Sequence, residues 1–158
     1  MIKFLRTVLM GLALSTALLT SAFAAGNDVN ATTTGLAMRG FDPVSYFQDS
    51  GPVAGDLKYT AEYNGATYRF VSKANKEQFE ADPVAFAPAY GGFCAFGTAM
   101  GFKFDGDPSV WKIVDKKLYL NLSPAVQKRW VSEEAEFIVQ ADNNWTDIKD
   151  KSPESLQK

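Results

Sequence analysis

The strongest constraint on the fold of this chain is an Asn64-Gly65 pair that separates two short runs of apolar residues. Apolar and polar side chains alternate along Tyr59–Tyr63, and Ala66–Val71 carries two further aromatic residues. Asn and Gly both tolerate the positive φ angles of a two-residue hairpin turn, so the pattern predicts a β-hairpin. Ser72 follows at a position typical of a helix N-cap, which predicts a helix over Lys73–Ala81.

The same arrangement recurs in the second half of the chain. Trp111–Val114 and Leu118–Leu122 are apolar-rich, and we expect them to be strands joined around Asp115-Lys116-Lys117. Ser123-Pro124 then supplies an N-cap and a proline at the first helical position. Apolar residues at roughly helical spacing predict that this helix runs to about Asp142.

The two units share one spacing. Turn, cap and aromatic anchor lie seven residues apart in each unit, at Gly65, Ser72 and Phe79 and at Lys116, Ser123 and Trp130. A duplication of one unit and a geometry that every such unit requires are both consistent with this spacing. Either way, the predicted fold class is α+β, a small single domain of two β-hairpins each followed by a Ser-capped helix.

The first residues of the chain have the pattern of a signal peptide. Lys3 and Arg6 precede an apolar run, and Ala22 and Ala24 place small residues at a cleavage site. This pattern predicts a signal peptide over residues 1–24 that is removed on export. For a chain of bacterial character, export predicts a periplasmic location and no membrane contact after cleavage.

Both ends of the exported chain are polar. Residues 25–35 are rich in Asn and Thr and are predicted to form a flexible lead-in. Residues 149–158 are charged and polar and are predicted to be a disordered tail. The domain is therefore expected to span residues 36–148.

The composition excludes several functions. The chain of 158 residues contains no His and one Cys, which excludes a His-based catalytic triad, a zinc finger, a histidine-ligated metal and an intramolecular disulfide. Sixteen basic and eighteen acidic residues give a net charge of −2, so no surface for nucleic acid is expected. A small ligand or another protein is the expected partner, and the oligomeric state is left open.

Several motifs together resemble the YHS-domain family. They are Asp42-Pro43-Val44, Tyr63–Ser72 with Asn75, Phe79 and Asp82-Pro83, and then Tyr90–Ala95, Trp111–Val114 and Leu118–Asn121. The last three resemble a branch of exported bacterial YHS proteins, some of which carry selenocysteine. The resemblance covers about Leu36–Ile148 and implies a YHS-type domain.

The resemblance also implies the loss of a metal site. Metal-associated members of the family carry cysteines at three points that correspond here to Ser45, Val71 and Asn75. None of these side chains supplies a thiolate, and a soft-metal site needs sulfur or imidazole ligands from several directions. The inherited metal–thiolate site is therefore expected to be absent.

Cys94 is the one side chain with distinctive reactivity. It precedes Ala95–Met100, where a short helix is expected to begin, and a helix N-terminus lowers the pKa of a thiol. The selenocysteine of relatives near this point implies a redox role, in which Cys94 would be the catalytic nucleophile and an external thiol would complete the cycle. Burial of Cys94 as a small apolar side chain is the alternative.

The Gly- and Phe-rich stretch Tyr90–Phe104 is predicted to line a ligand cleft. Its candidate ligand-binding residues are Tyr90, Gly91, Gly92, Phe93, Cys94 and Phe96. The sulfurs of Cys94, Met100 and Met38 are a further candidate, for a soft Cu(I) site. Asp105 and Asp107 are expected to form a solvated turn. The expected function is a non-enzymatic binding or accessory module of unassigned ligand, with thiol-dependent redox activity and copper binding as alternatives.

Overall fold

The computed structural model describes residues 27–157. The predicted signal peptide lies outside the described residues, as do residues 25, 26 and 158 of the two polar ends. The described chain is one small α+β domain with two antiparallel two-stranded sheets, as predicted. Its strands are β1 (Asp56–Tyr63), β2 (Ala66–Phe70), β3 (Asp107–Val114) and β4 (Lys117–Asn121). Its helices are α1 (Lys73–Ala81), α2 (Pro83–Phe86), α3 (Ala95–Ala99), α4 (Pro124–Val131) and α5 (Glu134–Ile148).

The first hairpin has the predicted turn. Asn64 and Gly65 have φ angles of 48° and 72°, so both occupy the left-handed region that a two-residue turn of this kind requires. The oxygen Oγ of Ser72 accepts a hydrogen bond from the backbone N–H of Asn75 at 3.1 Å. The predicted cap therefore starts α1 where the sequence placed it.

The second hairpin follows the same plan with a shorter connection than expected. Asp115 and Lys116 alone form the turn, with φ angles of 47° and 64°, and Lys117 already belongs to β4. Ser123 Oγ accepts from the N–H of Val126 at 3.3 Å and caps α4.

The single helix predicted from Pro124 to about Asp142 is wrong. Two helices, α4 and α5, occupy this stretch, and α5 continues to Ile148. The break occurs where Ser132 Oγ donates to the backbone oxygen of Arg129 at 2.7 Å and Glu133 leaves the helical region, with φ −143°. A serine that bonds backward to the main chain competes with helical hydrogen bonding, which explains the interruption.

The two aromatic anchors fill two separate buried clusters. Phe79 lies 5.0 Å from the ring of Tyr68, and Trp130 lies 5.5 Å from the ring of Tyr119, measured between ring centroids. Each anchor thus packs its ring against a tyrosine of the second strand of its own hairpin. The spacing of seven residues between cap and anchor therefore has one structural consequence in both units.

Lys103 connects the two ends of the described chain. Its ammonium is buried over the rings of Phe93 and Trp145, each 5.1 Å from Nζ. Nζ donates three hydrogen bonds, to the backbone oxygens of Asn27, Lys149 and Lys151, at 2.6, 2.6 and 2.7 Å. These bonds use every donor that a lysine has. Burial lowers the pKa of Lys103, while nearby Asp28 and Asp150 oppose that shift.

Further bonds hold these end segments. Asn27 Nδ2 donates to the backbone oxygen of Asp150 at 3.0 Å, and the N–H of Asn30 donates to Gly91 at 2.9 Å. The sequence indicated flexibility for residues 25–35 and disorder for 149–158, and did not anticipate these contacts. Among the helices of residues 27–157, none combines the length and apolar character needed to cross a membrane.

Candidate functional site: a tyrosine groove

A groove of about 410 Å³ is lined by residues of both hairpins, of α5 and of the segment from α2 to Gly91. Its volume falls within the range of small-molecule binding sites. Five aromatic side chains define it, and we call it the tyrosine groove: Tyr63, Tyr68, Tyr90, Tyr119 and Trp145. Its charged lining residues are Asp28, Asp142, Lys117 and Lys149.

Tyr68 and Tyr119 occupy equivalent places in the two units. Each lies three residues after the second turn residue and four residues before the capping serine. Each also packs against the aromatic anchor of its own unit, as described above. The groove therefore receives the same side chain from both hairpins.

The hydroxyls of these two tyrosines have no protein partner in residues 27–157. Only 1% of Tyr68 and 3% of Tyr119 is exposed, and neither hydroxyl takes part in a hydrogen bond there. The fully buried unpaired side-chain nitrogen and oxygen atoms of that part of the chain are Asn121 Nδ2 and Trp130 Nε1. Both phenol oxygens are therefore still reached by solvent, and the groove is the opening that both residues line. Burial raises the pKa of both phenols above the ordinary tyrosine value.

Tyr90 is fixed at the other side of the groove. Its hydroxyl donates to Asp142 Oδ1 at 2.9 Å and lies 3.3 Å from the backbone oxygen of Ile138. Burial and this bond to Asp142 raise the pKa of Tyr90. The ring of Tyr90 lies 5.8 Å from Tyr119 and 5.8 Å from Trp145. Tyr90 is thus a rigid wall of the groove.

Gly91 permits the close approach of the N-terminal segment. It has a φ of 61°, and a Cβ atom at this position would overlap the backbone oxygen of Asp28. Only glycine fits this conformation and this contact. The glycine therefore brings Asp28 to the edge of the groove.

The predicted ligand-binding residues are divided among different places. Tyr90 and Gly91 line the tyrosine groove, and Gly92 lines a small cavity of about 90 Å³. Phe93 lines a wider groove of about 930 Å³ between the two end segments. Cys94 and Phe96 line none of these three openings.

The candidate ligand-binding residues named from the sequence did not include four residues of the tyrosine groove: Tyr63, Tyr68, Tyr119 and Trp145. The signal that was available is the equivalence of Tyr68 and Tyr119 in the two units. The wider groove is a weaker candidate for ligand binding, because the ammonium of its lining residue Lys103 already donates to three backbone oxygens.

Cys94 is held inside the protein, with 1% of its surface exposed. It caps α3, and its sulfur accepts from the N–H of Gly97 at 3.4 Å and of Leu122 at 3.3 Å. The thiol lies 3.7 Å from Asn121 Oδ1, to which it donates. The helix N-terminus predicts a lowered pKa, but burial outweighs the N–H bonds and raises the pKa of Cys94.

The three positions that the resemblance assigns to cysteines cluster at Asp42. The buried carboxylate of Asp42 accepts from the N–H of Val71 at 2.9 Å and from Asn75 Nδ2 at 2.7 Å. Ser45 Oγ donates to the backbone oxygen of Asp42 at 2.7 Å. A third bond to the carboxylate comes from the N–H of Val44 at 2.8 Å. A hydrogen-bonded carboxylate thus lies at the centre of these positions.

The sulfurs proposed for copper have unlike surroundings. Met38 packs in the buried cluster around Phe79, whereas Met100 is 43% exposed. Within residues 27–157, no three His, Cys, Asp or Glu side chains form a group that could hold a metal ion. Asp107 accepts from the N–H and Oγ of Ser109, which lower its pKa.

Comparison with protein-family models, with curated proteins and with solved structures finds no match to this chain.

Proposed function

We propose that this protein is an exported YHS-type binding module whose small ligand occupies the tyrosine groove. One observation carries the proposal: Tyr68 and Tyr119 line the groove, are almost fully buried, and have hydroxyls without a partner in the described chain. Phenylalanine would fill the same places without a hydroxyl, so a ligand that bonds to both hydroxyls accounts for the tyrosines.

Binding fits this groove better than acid–base catalysis. A group that transfers protons efficiently needs a pKa near the working pH. Burial instead raises the pKa values of Tyr68, Tyr90 and Tyr119, which keeps these phenols neutral near pH 7. Neutral phenols donate and accept hydrogen bonds, and this is the chemistry of recognition.

The proposal includes a structural role for the residues around Asp42. In place of the thiolates that the resemblance would lead one to expect, Ser45, Val71 and Asn75 surround one carboxylate. We assign this cluster to the stability of the first unit. The periplasm is the proposed location, on the strength of the pattern in residues 1–24.

A library screen on the purified protein tests the function. Small molecules that bind the wild-type protein, detected by ligand-observed NMR, are retested on a Tyr68→Phe/Tyr119→Phe variant. We expect binding to weaken by about 4- to 100-fold, because one lost hydrogen bond corresponds to a factor of about 2–10 and two are removed.

Tyr59→Phe is the matched control, because Tyr59 is half-buried on β1 and does not line the groove. A screen in which no compound loses affinity in the double variant would contradict the proposal. An equal loss in the Tyr59→Phe control would contradict it as well.

A further inference from the structure

The charges around the tyrosine groove balance. Two acidic residues, Asp28 and Asp142, and two lysines, Lys117 and Lys149, line it. A site that selects an ion carries an excess of the opposite charge, since an ion that loses water needs compensation. The balance favours a ligand without net charge.

The unpaired groups on the nearly fully buried lining residues of the groove are the hydroxyls of Tyr68 and Tyr119. Each phenol donates one hydrogen bond and accepts others. Ligand hydroxyls have the same dual capacity, so they can pair with Tyr68 and Tyr119 in either direction. A quaternary ammonium group offers neither donor nor acceptor, and a polyproline backbone offers acceptors alone.

Part of the remaining surface is aromatic. Tyr90 and Trp145 meet at an angle of 60° with ring centroids 5.8 Å apart, and Trp145 is half-buried. Such a corner offers apolar ring surface beside polar groups. The C–H face of a pyranose ring is apolar while its rim carries hydroxyls, which matches this division of the groove.

We propose, resting on the function proposed above, that the tyrosine groove binds a neutral mono- or disaccharide. Its hydroxyls pair with the phenols of Tyr68 and Tyr119, and its apolar face packs on Trp145. The volume of about 410 Å³ accommodates a ligand of this size.

Calorimetric titration of the purified protein tests the ligand class. The probes are glucose, N-acetylglucosamine, maltose, cellobiose and diacetylchitobiose. Each is added up to about 10 mM, so that dissociation constants as weak as about 1 mM are detected. Glycine betaine and a ten-residue polyproline peptide serve as probes of the competing classes. We expect at least one saccharide to bind saturably, and neither competitor to bind.

Variants locate the binding. Tyr68→Phe and Tyr119→Phe should each weaken saccharide binding by about 2- to 10-fold, while Tyr59→Phe leaves it unchanged. Melting temperatures without ligand should stay within the range of the wild type, which separates lost binding from lost folding. In Trp145→Phe, the change in tryptophan emission on saccharide addition should disappear.

Three results would overturn the inference. If no saccharide binds, the ligand class is wrong. If betaine or polyproline binds instead and Tyr119→Phe weakens that binding, the class is wrong while the proposed binding function stands. If a saccharide binds but both tyrosine variants bind it equally well, the site is elsewhere, and the proposed function of the groove fails with the inference.

Discussion

The two hairpin units are built alike but are closed by different chemical groups. In the first unit, the N–H of Val71, the residue before the capping Ser72, donates to the carboxylate of Asp42 at 2.9 Å. In the second unit, the N–H of Leu122, the residue before Ser123, donates to the sulfur of Cys94 at 3.3 Å. The same backbone group thus meets a carboxylate in one unit and a thiol in the other.

The difference shows which unit has its buried polar groups more fully hydrogen-bonded. A carboxylate is a strong acceptor, and sulfur is a weak one. Asp42 receives three donors, whereas the unit closed by Cys94 contains the two buried unpaired donors of residues 27–157, on Asn121 and Trp130. We therefore expect the first unit to be the more sensitive to removal of its acceptor.

Asp42→Ala should have the largest effect. It leaves the donors of Val44, Val71 and Asn75 without their partner, and each buried orphan costs about 1–3 kcal/mol. We expect the free energy of unfolding, measured with urea, to fall by about 3–4 kcal/mol. Asp49→Ala, at an exposed position, is the control. A loss below about 1 kcal/mol for Asp42→Ala would remove the basis of the comparison.

Lys103→Met should have the next largest effect, because it keeps the apolar stem and removes the three bonds to the end segments. We expect a loss of about 2 kcal/mol, since some of the freed carbonyls are rehydrated near the surface. Faster hydrogen exchange in residues 27–35 and 149–157 should accompany it. Lys58→Met replaces an exposed lysine as the control. Unchanged exchange would show that Lys103 does not hold these segments.

Cys94→Ala should cost about 1–2 kcal/mol, less than Asp42→Ala, because N–H bonds to sulfur are weak. The pKa of Cys94 is raised above its ordinary 9.0 in the folded protein, so the thiol stabilises the fold below about pH 9. That contribution is lost as the pH rises through the folded pKa. Between pH 8 and pH 10 the wild type should therefore lose more stability than Cys94→Ala. Equal losses, or a cost as large as that of Asp42→Ala, would break the comparison.

The smallest effects should come from the groove tyrosines. Tyr68→Phe and Tyr119→Phe remove hydroxyls without protein partners, so stability should change by less than about 0.5 kcal/mol. Tyr90→Phe removes the bond to Asp142 and should cost about 1 kcal/mol. Thermal unfolding of the three variants checks the ranking. A larger loss in Tyr68→Phe than in Tyr90→Phe would mean that its hydroxyl serves the fold.

The hairpin units could be predicted from the sequence because their signals are local. Asn64-Gly65 specifies a turn through its φ angles, and Ser72 and Ser123 cap helices through bonds to residues three positions ahead. The break after α4 was missed because the sequence does not show whether the hydroxyl of Ser132 bonds backward to the main chain. Its bond to the backbone oxygen of Arg129 is visible only in the structure.

The site was predicted less well because its parts come from distant segments. Tyr90 and Gly91 were identified, but whether a tyrosine hydroxyl points at protein or at a groove depends on packing between the two units. Lys103 was not identified at all. Its partners are backbone oxygens 46, 48 and 76 residues away. Every residue has a backbone oxygen, so the residue types do not indicate which ones accept these bonds.

We place the chemistry of this protein in the tyrosine groove and assign Cys94 a structural role. The most direct test of that assignment is the rate at which iodoacetamide labels Cys94 in the native protein between pH 6 and pH 10. Because the thiol is buried and its pKa is raised, we expect no labelling until the protein is unfolded by urea. Rapid labelling of the native protein, governed by a pKa well below about 8.5, would contradict the account and make Cys94 a reactive thiol.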